Sequence, residues 1–221
     1  MAVLGVDGWR GAWVAARLDG RSVTLSVLPD AAAVLAVPDV QVIGIDMPIG
    51  LSDDGARACD VAARRRLPGA ASSVFPAPVR PVLHATTYDE ARAVSVAAAG
   101  RSLSVQSFAL VPAIRSLDDA LGDPPDPRVH EVHPELSFRT LDGRVMDRKA
   151  SGSGLGQRIR ALEAVMDVLD ALAEDRAGLP LVDALDACSA AWSAQRIADG
   201  QATFVGDHRP DARGRPMRIH F

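Results

Sequence analysis

Lysine is nearly missing from this chain: of its 24 basic residues, Lys149 is the single lysine and the rest are arginines. By itself that reads as the compositional bias of an Ala- and Arg-rich proteome. Aromatic residues make up 4% of the sequence, so any core has to be built from Ala, Val, Leu and Ile. At 48% apolar over 221 residues, such a core is large enough for one domain of ordinary to large size. Cys59 and Cys188 are the only cysteines. They lie far apart without metal-ligand spacing, which excludes a thiolate metal cluster and fits a reducing compartment. No run reaches the roughly 18 apolar residues of a membrane span. The first apolar run stops at Asp7 and has no basic region before it, so no signal peptide and a cytoplasmic, soluble protein are expected. Positive charge is not in excess either: the formal net charge is -4 and the pI about 5.7. That excludes coating of nucleic acid through bulk charge. A nuclease stays open, because an acidic metal site itself lowers the pI.

What is present is a repeated design. Leu4-Gly5-Val6-Asp7-Gly8 and Val42-Ile43-Gly44-Ile45-Asp46-Met47-Pro48 are apolar runs that each end in one aspartate among glycines. Asp183-Ala184-Leu185-Asp186 adds a third acidic element near the end. Two carboxylates 4 Å apart repel by about 4 kcal/mol at an effective dielectric near 20. A fold tolerates this when a divalent cation or a proton occupies the gap.

Along the chain, residues 2–6, 12–18 and 22–28 read as an antiparallel meander, with Asp19-Gly20 as a hairpin turn. Residues 30–36 form a short helix capped by Asp30. Residues 40–46 are a fourth strand, apolar throughout and parallel to the first because a helical crossover precedes it. Helices are expected over 53–66, 87–99 and 107–121, and an irregular Pro-rich loop over 70–83. Residues 129–138 read as a strand and turn, 151–156 as a glycine-rich loop that leads into a long helix to about Ala177, and 181–198 as the last helix. Residues 203–205 and 217–221 would close the chain as a hairpin. The order describes one α/β domain with a mixed sheet.

Asp7 and Asp46 fall at strand carboxyl ends, where open α/β sheets bind ligands. On neighbouring strands they would stand about 4.8 Å apart, close enough for one hard cation such as Mg²⁺ or Mn²⁺ to bridge. Asp183 and Asp186 are spaced i, i+3 and share a helix face. Taken singly, each aspartate is a turn or cap residue; the matched set favours a site. His130-Glu131-Val132-His133-Pro134-Glu135 would place Glu131, His133 and Glu135 on one strand face, although Pro134 argues against a central strand. Ser73 and Arg80, and Lys149 and Arg158 beside the glycine-rich segment, are candidate phosphate contacts.

Together, Gly5-Val6-Asp7-Gly8 with Trp13-Val14, Ile45-Asp46-Met47-Pro48-Ile49-Gly50-Leu51, Ser73-Val74-Phe75-Pro76-Ala77-Pro78, Glu131-Val132-His133-Pro134-Glu135 and Asp183-Ala184-Leu185-Asp186-Ala187 resemble a family of uncharacterised prokaryotic proteins. It is labelled a domain of unknown function and a predicted RNase H-like nuclease. The resemblance implies an RNase H-like fold: a mixed five-stranded sheet flanked by helices, a single domain over residues 1–221, with a helical insertion after the fourth strand at about 52–127. It also implies a metal-dependent nuclease or phosphodiesterase working by a two-metal mechanism with Mg²⁺ or Mn²⁺. Asp7, Asp46, Asp183 and Asp186 would be metal ligands; Asp7, Asp46, Asp186 and Glu131 would be catalytic. Ser73, Arg80, Lys149 and Arg158 would hold the phosphodiester. Two other readings stand beside it: phosphoryl transfer to a small molecule on an actin-like or sugar-kinase-like core, and a non-catalytic binding protein that keeps the fold. Nucleic acid as partner is not supported by net charge, no membrane is expected, and the oligomeric state is open, a homodimer included.

Overall fold

A computed structural model describes residues 1–175 and 178–221. Its elements in chain order begin with β1 (Ala2–Trp9), β2 (Ala12–Asp19), β3 (Ser22–Leu28), α1 (Ala31–Leu35), β4 (Val40–Ile45) and α2 (Ala58–Arg66). Next come α3 (Tyr88–Ala99), α4 (Val105–Ala109), α5 (Val111–Ala120), β5 (Val129–Glu131) and α6 (Pro134–Leu141). The chain continues with α7 (Gly152–Glu163), α8 (Val168–Glu174), α9 (Leu181–Ala198), β6 (Phe204–Pro210) and β7 (Pro216–His220). The described residues divide into two compact units: Met1–Met47 with Pro127–Thr203 and His220–Phe221, and Pro48–Asp126 with Phe204–Ile219.

The first unit is an α/β layer built on a five-stranded mixed sheet of order β3-β2-β1-β4-β5. The expected meander is there, with β1–β2 and β2–β3 antiparallel and β4 parallel to β1. Asp30 caps α1 by accepting from Ala33 N at 2.8 Å, so the crossover starts where the sequence places it. β1 runs further than expected, to Trp9, and carries Asp7 within it.

One long helix, α9, lies on β1, β2 and β4. Its sheet-facing side is a row of small residues, Ala184, Ala187, Ala190, Ala191 and Ala194, all buried. The strands answer with glycine. A Cβ on Gly5 would sit 2.0 Å from Ala191 N and 2.1 Å from Ala187 O, and one on Gly44 would sit 2.8 Å from Ala190 O. Helix backbone therefore rests on strand backbone, an approach that only glycine permits. Around this contact Val3, Val14, Val42, Phe138, Leu162 and Leu185 form one buried core.

The second unit holds α2 to α5 and the β6–β7 hairpin. Arg57, 3% exposed, donates to Ile49 O and Gly50 O and pairs with Asp60. Asp118 takes ion pairs from Arg80, Arg213 and Arg215, and Asp211 from Arg80.

Several local expectations are corrected. The helix read from 53 starts at Ala58, because Ser52 Oγ accepts from Gly55 N at 3.1 Å and holds the preceding residues in a turn. The helix read over 107–121 is two, α4 and α5, with Pro112 in the first turn of α5. Without an N–H, a proline opens a helix more readily than it continues one. The same effect at Pro134 ends the expected strand at Glu131 and starts α6. The glycine-rich segment is helix from Gly152, since Ser151 caps it through Gly154 N at 3.0 Å. The long helix beyond it is α7 and α8; its expected end at Ala177 lies outside the described residues.

Candidate functional site

The register of β1 on β4 pairs Val6 with Ile45, and Asp46 N donates to Val6 O at 2.9 Å. The next residues, Asp7 and Asp46, are thus neighbours at the strands' carboxyl ends. Alternation puts both on the α9 face, the same face as Gly5 and Gly44. Because Ala187 rests on Gly5, the residue before it in α9, Asp186, is brought to the aspartates. Asp183 stands one turn earlier. Asp186 is buried, while Asp7 and Asp46 keep a partly open edge.

The charges report this convergence. Burial, then Asp46 and Asp186, push the Asp7 carboxyl well above the usual range, and Asp183 adds to the shift. Burial and Asp186 push Asp46 up to about 7. Asp183 and Asp186 are raised as well, both chiefly by burial. One group opposes all four: the ammonium of Lys149. Its Nζ lies 2.7 Å from Asp186 Oδ2. Burial would lower the Lys149 pKa, but Asp186, Asp46 and Asp7 outweigh it and raise it.

Asp7, Asp46, Asp183, Asp186 and Lys149 are therefore brought together. Glu131 is not: it pairs with Ile45, whose side chain leaves the sheet on the face opposite Gly44 and Asp46. Glu135 lies on α6, not on a strand with Glu131, and its Oε2 accepts from Arg158 Nη2 at 2.7 Å. Arg158 is 1% exposed, stacks on Phe138, and donates to Asp147 O and Gly154 O. A guanidinium so enclosed supports the site from behind, and it lowers the Asp186 carboxyl rather than meeting a phosphate. Ser73 and Arg80 belong to the second unit, where Ser73 Oγ donates to Ala70 O and Arg80 pairs with Asp118 and Asp211. Two features escape a linear reading. His133, read as a strand residue, is the N-cap of α6 and acts on Asp186; Pro134 as a first-turn residue was its signal. Lys149, read as a phosphate contact, is the counter-ion of the carboxylates, and its singularity was the signal.

The donors suit a hard divalent cation in chemistry: carboxylate oxygens, with no thiolate beside them. Cys188 is fully buried and its thiol is pushed up to about 12, first by burial and then by Asp186. Among the described residues, no group of three or more His, Cys, Asp or Glu is placed to hold a metal ion. Also among the described residues, no helix is long and apolar enough to cross a membrane.

The profile of a family described as "Protein of unknown function (DUF429)" matches residues 5–211. No curated protein and no solved structure matches the chain.

Proposed function

The chain belongs to the DUF429 family, and from the carboxylate cluster it carries we propose a metal-dependent phosphodiesterase or nuclease of RNase H-like fold. One observation carries this reading: Asp7, Asp46 and Asp186, from two adjacent strand ends and one helix, meet beside a single ammonium, with Asp186 raising the carboxyls of Asp7 and Asp46 and Asp46 adding to the shift of Asp7. Lys149, with Arg158 and His133, acts on Asp186, and the carboxyls of Asp7 and Asp46 are left to a proton or a divalent cation. The sheet order β3-β2-β1-β4-β5, with acids on the first strand, beside the fourth and on the last helix, supports the fold assignment.

Asp7, Asp46 and Asp186 would hold Mg²⁺ or Mn²⁺, with Asp183 beside them. Such cations would lower the pKa of a water and neutralise charge on phosphoryl oxygens. The chain's own groups do the rest. Asp46, which burial and the Asp186 charge otherwise raise to about 7, would be held ionised by a bound cation, and the attacking water would give its proton to solvent. Water oxygen bonds to phosphorus, the P–O bond to the leaving alcohol breaks, and that alkoxide takes a proton from solvent. Asp7 is held in orientation by Gly8 N, which donates to its Oδ1 at 2.8 Å. Lys149, half exposed, has the reach to meet a phosphate oxygen at the open edge.

Purified protein with Mn²⁺ is expected to cleave at least one of single-stranded DNA, duplex DNA, RNA, a four-way junction or an aryl phosphodiester. Asp7→Asn is expected to lose at least 100-fold of that rate, a typical scale for removing a group that stabilises transition-state charge. Inactivity on all five, or an equally active Asp7→Asn, would sink the reading. A non-catalytic binding protein is the second reading, favoured by the Lys149–Asp186 ion pair; full inactivity with retained binding would select it.

A further inference from the structure

Lys149 is the only lysine in a chain that uses arginine everywhere else, and it stands beside the convergent carboxylates of Asp7, Asp46 and Asp186. The two cations differ in what they can do there. A guanidinium is a planar fork that locks a carboxylate bidentately, whereas an ammonium is a compact, hydrated point charge that can take a cation's position and leave it again. The surroundings suit such exchange. Asp186 is 2% exposed, whereas the Lys149 side chain is 51% exposed and has solvent beside it. The backbone that carries it is pinned on both sides. Gln157 Oε1 accepts from Met146 N and Asp147 N at 3.1 Å each, and Ser151 N donates to Arg148 O at 2.9 Å.

We infer that Lys149 and a divalent cation are mutually exclusive partners of Asp186, so that Lys149 is a built-in competitor which must swing outward before the carboxylates take metal. This rests on the metal-dependent reading above and names its regulation. Once Lys149 leaves, Asp186 is free to turn toward Asp7 and Asp46, and the displaced ammonium faces the open edge.

The test is metal binding, read without turnover. Mn²⁺ affinity is measured by calorimetry for the parent chain, Lys149→Met and Lys149→Arg. Lys149→Met is expected to bind at least tenfold tighter than the parent, and Lys149→Arg at least tenfold weaker. The parent chain supplies a second readout, because reductive ¹³C-methylation labels Lys149 and the terminal amine alone among its primary amines. The Lys149 methyl resonance is expected to shift on Mg²⁺ titration and to stay still in Asp186→Asn. Metal binding by the parent with Lys149→Met within threefold of it, and a static Lys149 resonance at saturation, would overturn the inference and leave the metal site standing. No binding by the parent or by Lys149→Met at millimolar metal would overturn both.

Discussion

Asp46 is where the chemistry of single residues can be read by titration. Its carboxyl is raised from 3.8 to about 7, by burial first and Asp186 second. In the unfolded chain the same carboxyl ionises near pH 4, so between about pH 4 and pH 7 the unfolded state holds fewer protons than the folded one. Folding stability must therefore fall as pH rises through that window, and Asp7 and Asp186 act in the same direction. Urea titrations from pH 4 to pH 8 are expected to show this fall. Asp46→Asn, which carries no proton to lose, flattens the profile and is more stable than the parent at pH 7 by roughly 1–4 kcal/mol. A parent whose stability rises over the same interval would contradict the assignment. The asparagine variant gains stability by removing what the site is for, a trade common where function concentrates strain.

At the scale of elements, the site depends on how closely α9 approaches the sheet. Asp186 reaches Asp7 and Asp46 only because nothing stands between the Ala187–Ala191 backbone and Gly5. Gly5→Ala puts a methyl group 2.0 Å from Ala191 N, with only backbone to yield. It is expected to destabilise by at least about 3 kcal/mol, the upper part of the overpacking range, seen as a lower urea midpoint or as failure to fold. Gly156→Ala on α7 meets nothing within 4 Å. It is expected to be neutral or stabilising by up to about 1 kcal/mol, from helix propensity alone. Equal stability of the two variants would mean that close backbone contact is not what seats the helix. The elements also show where linear patterns mislead. A run such as Gly152-Ser153-Gly154-Leu155-Gly156 has loop propensity throughout, yet the Ser151 cap turns it into a first helical turn. Pro134, which argues against a central strand, begins a helix, as does Pro112.

For the whole molecule the consequence is thermodynamic linkage. A cation that binds the folded carboxylates and not the unfolded chain stabilises by RT ln(1 + [L]/Kd), about 2.7 kcal/mol at one hundred times Kd. In a chain of 221 residues that corresponds to a rise in Tm of roughly 5–10 °C. Mn²⁺ is expected to produce it in the parent and not in Asp186→Asn, followed by differential scanning fluorimetry. A Tm indifferent to Mn²⁺ in both would count against a metal site. A rise in both would place the metal elsewhere.

The sequence by itself determined the meander, the buried parallel strand and the last helix, because alternation, a tight turn and an unbroken apolar face are local properties of consecutive residues. It also marked Asp7 and Asp46, since an aspartate that ends an apolar run is conspicuous without any fold, and Asp186 by its i, i+3 spacing from Asp183. Tertiary structure alone decided what those aspartates meet. That Lys149, remote from all three along the chain, neutralises Asp186 follows from the turn that carries it. That Arg158 is sealed behind Glu135 follows from how α6 and α7 pack. That Glu131 turns to the far face follows from strand register. The physical reason is the same in each case: charge, burial and pairing are set by distance in space, and chain order constrains that distance only within one strand or one turn of helix.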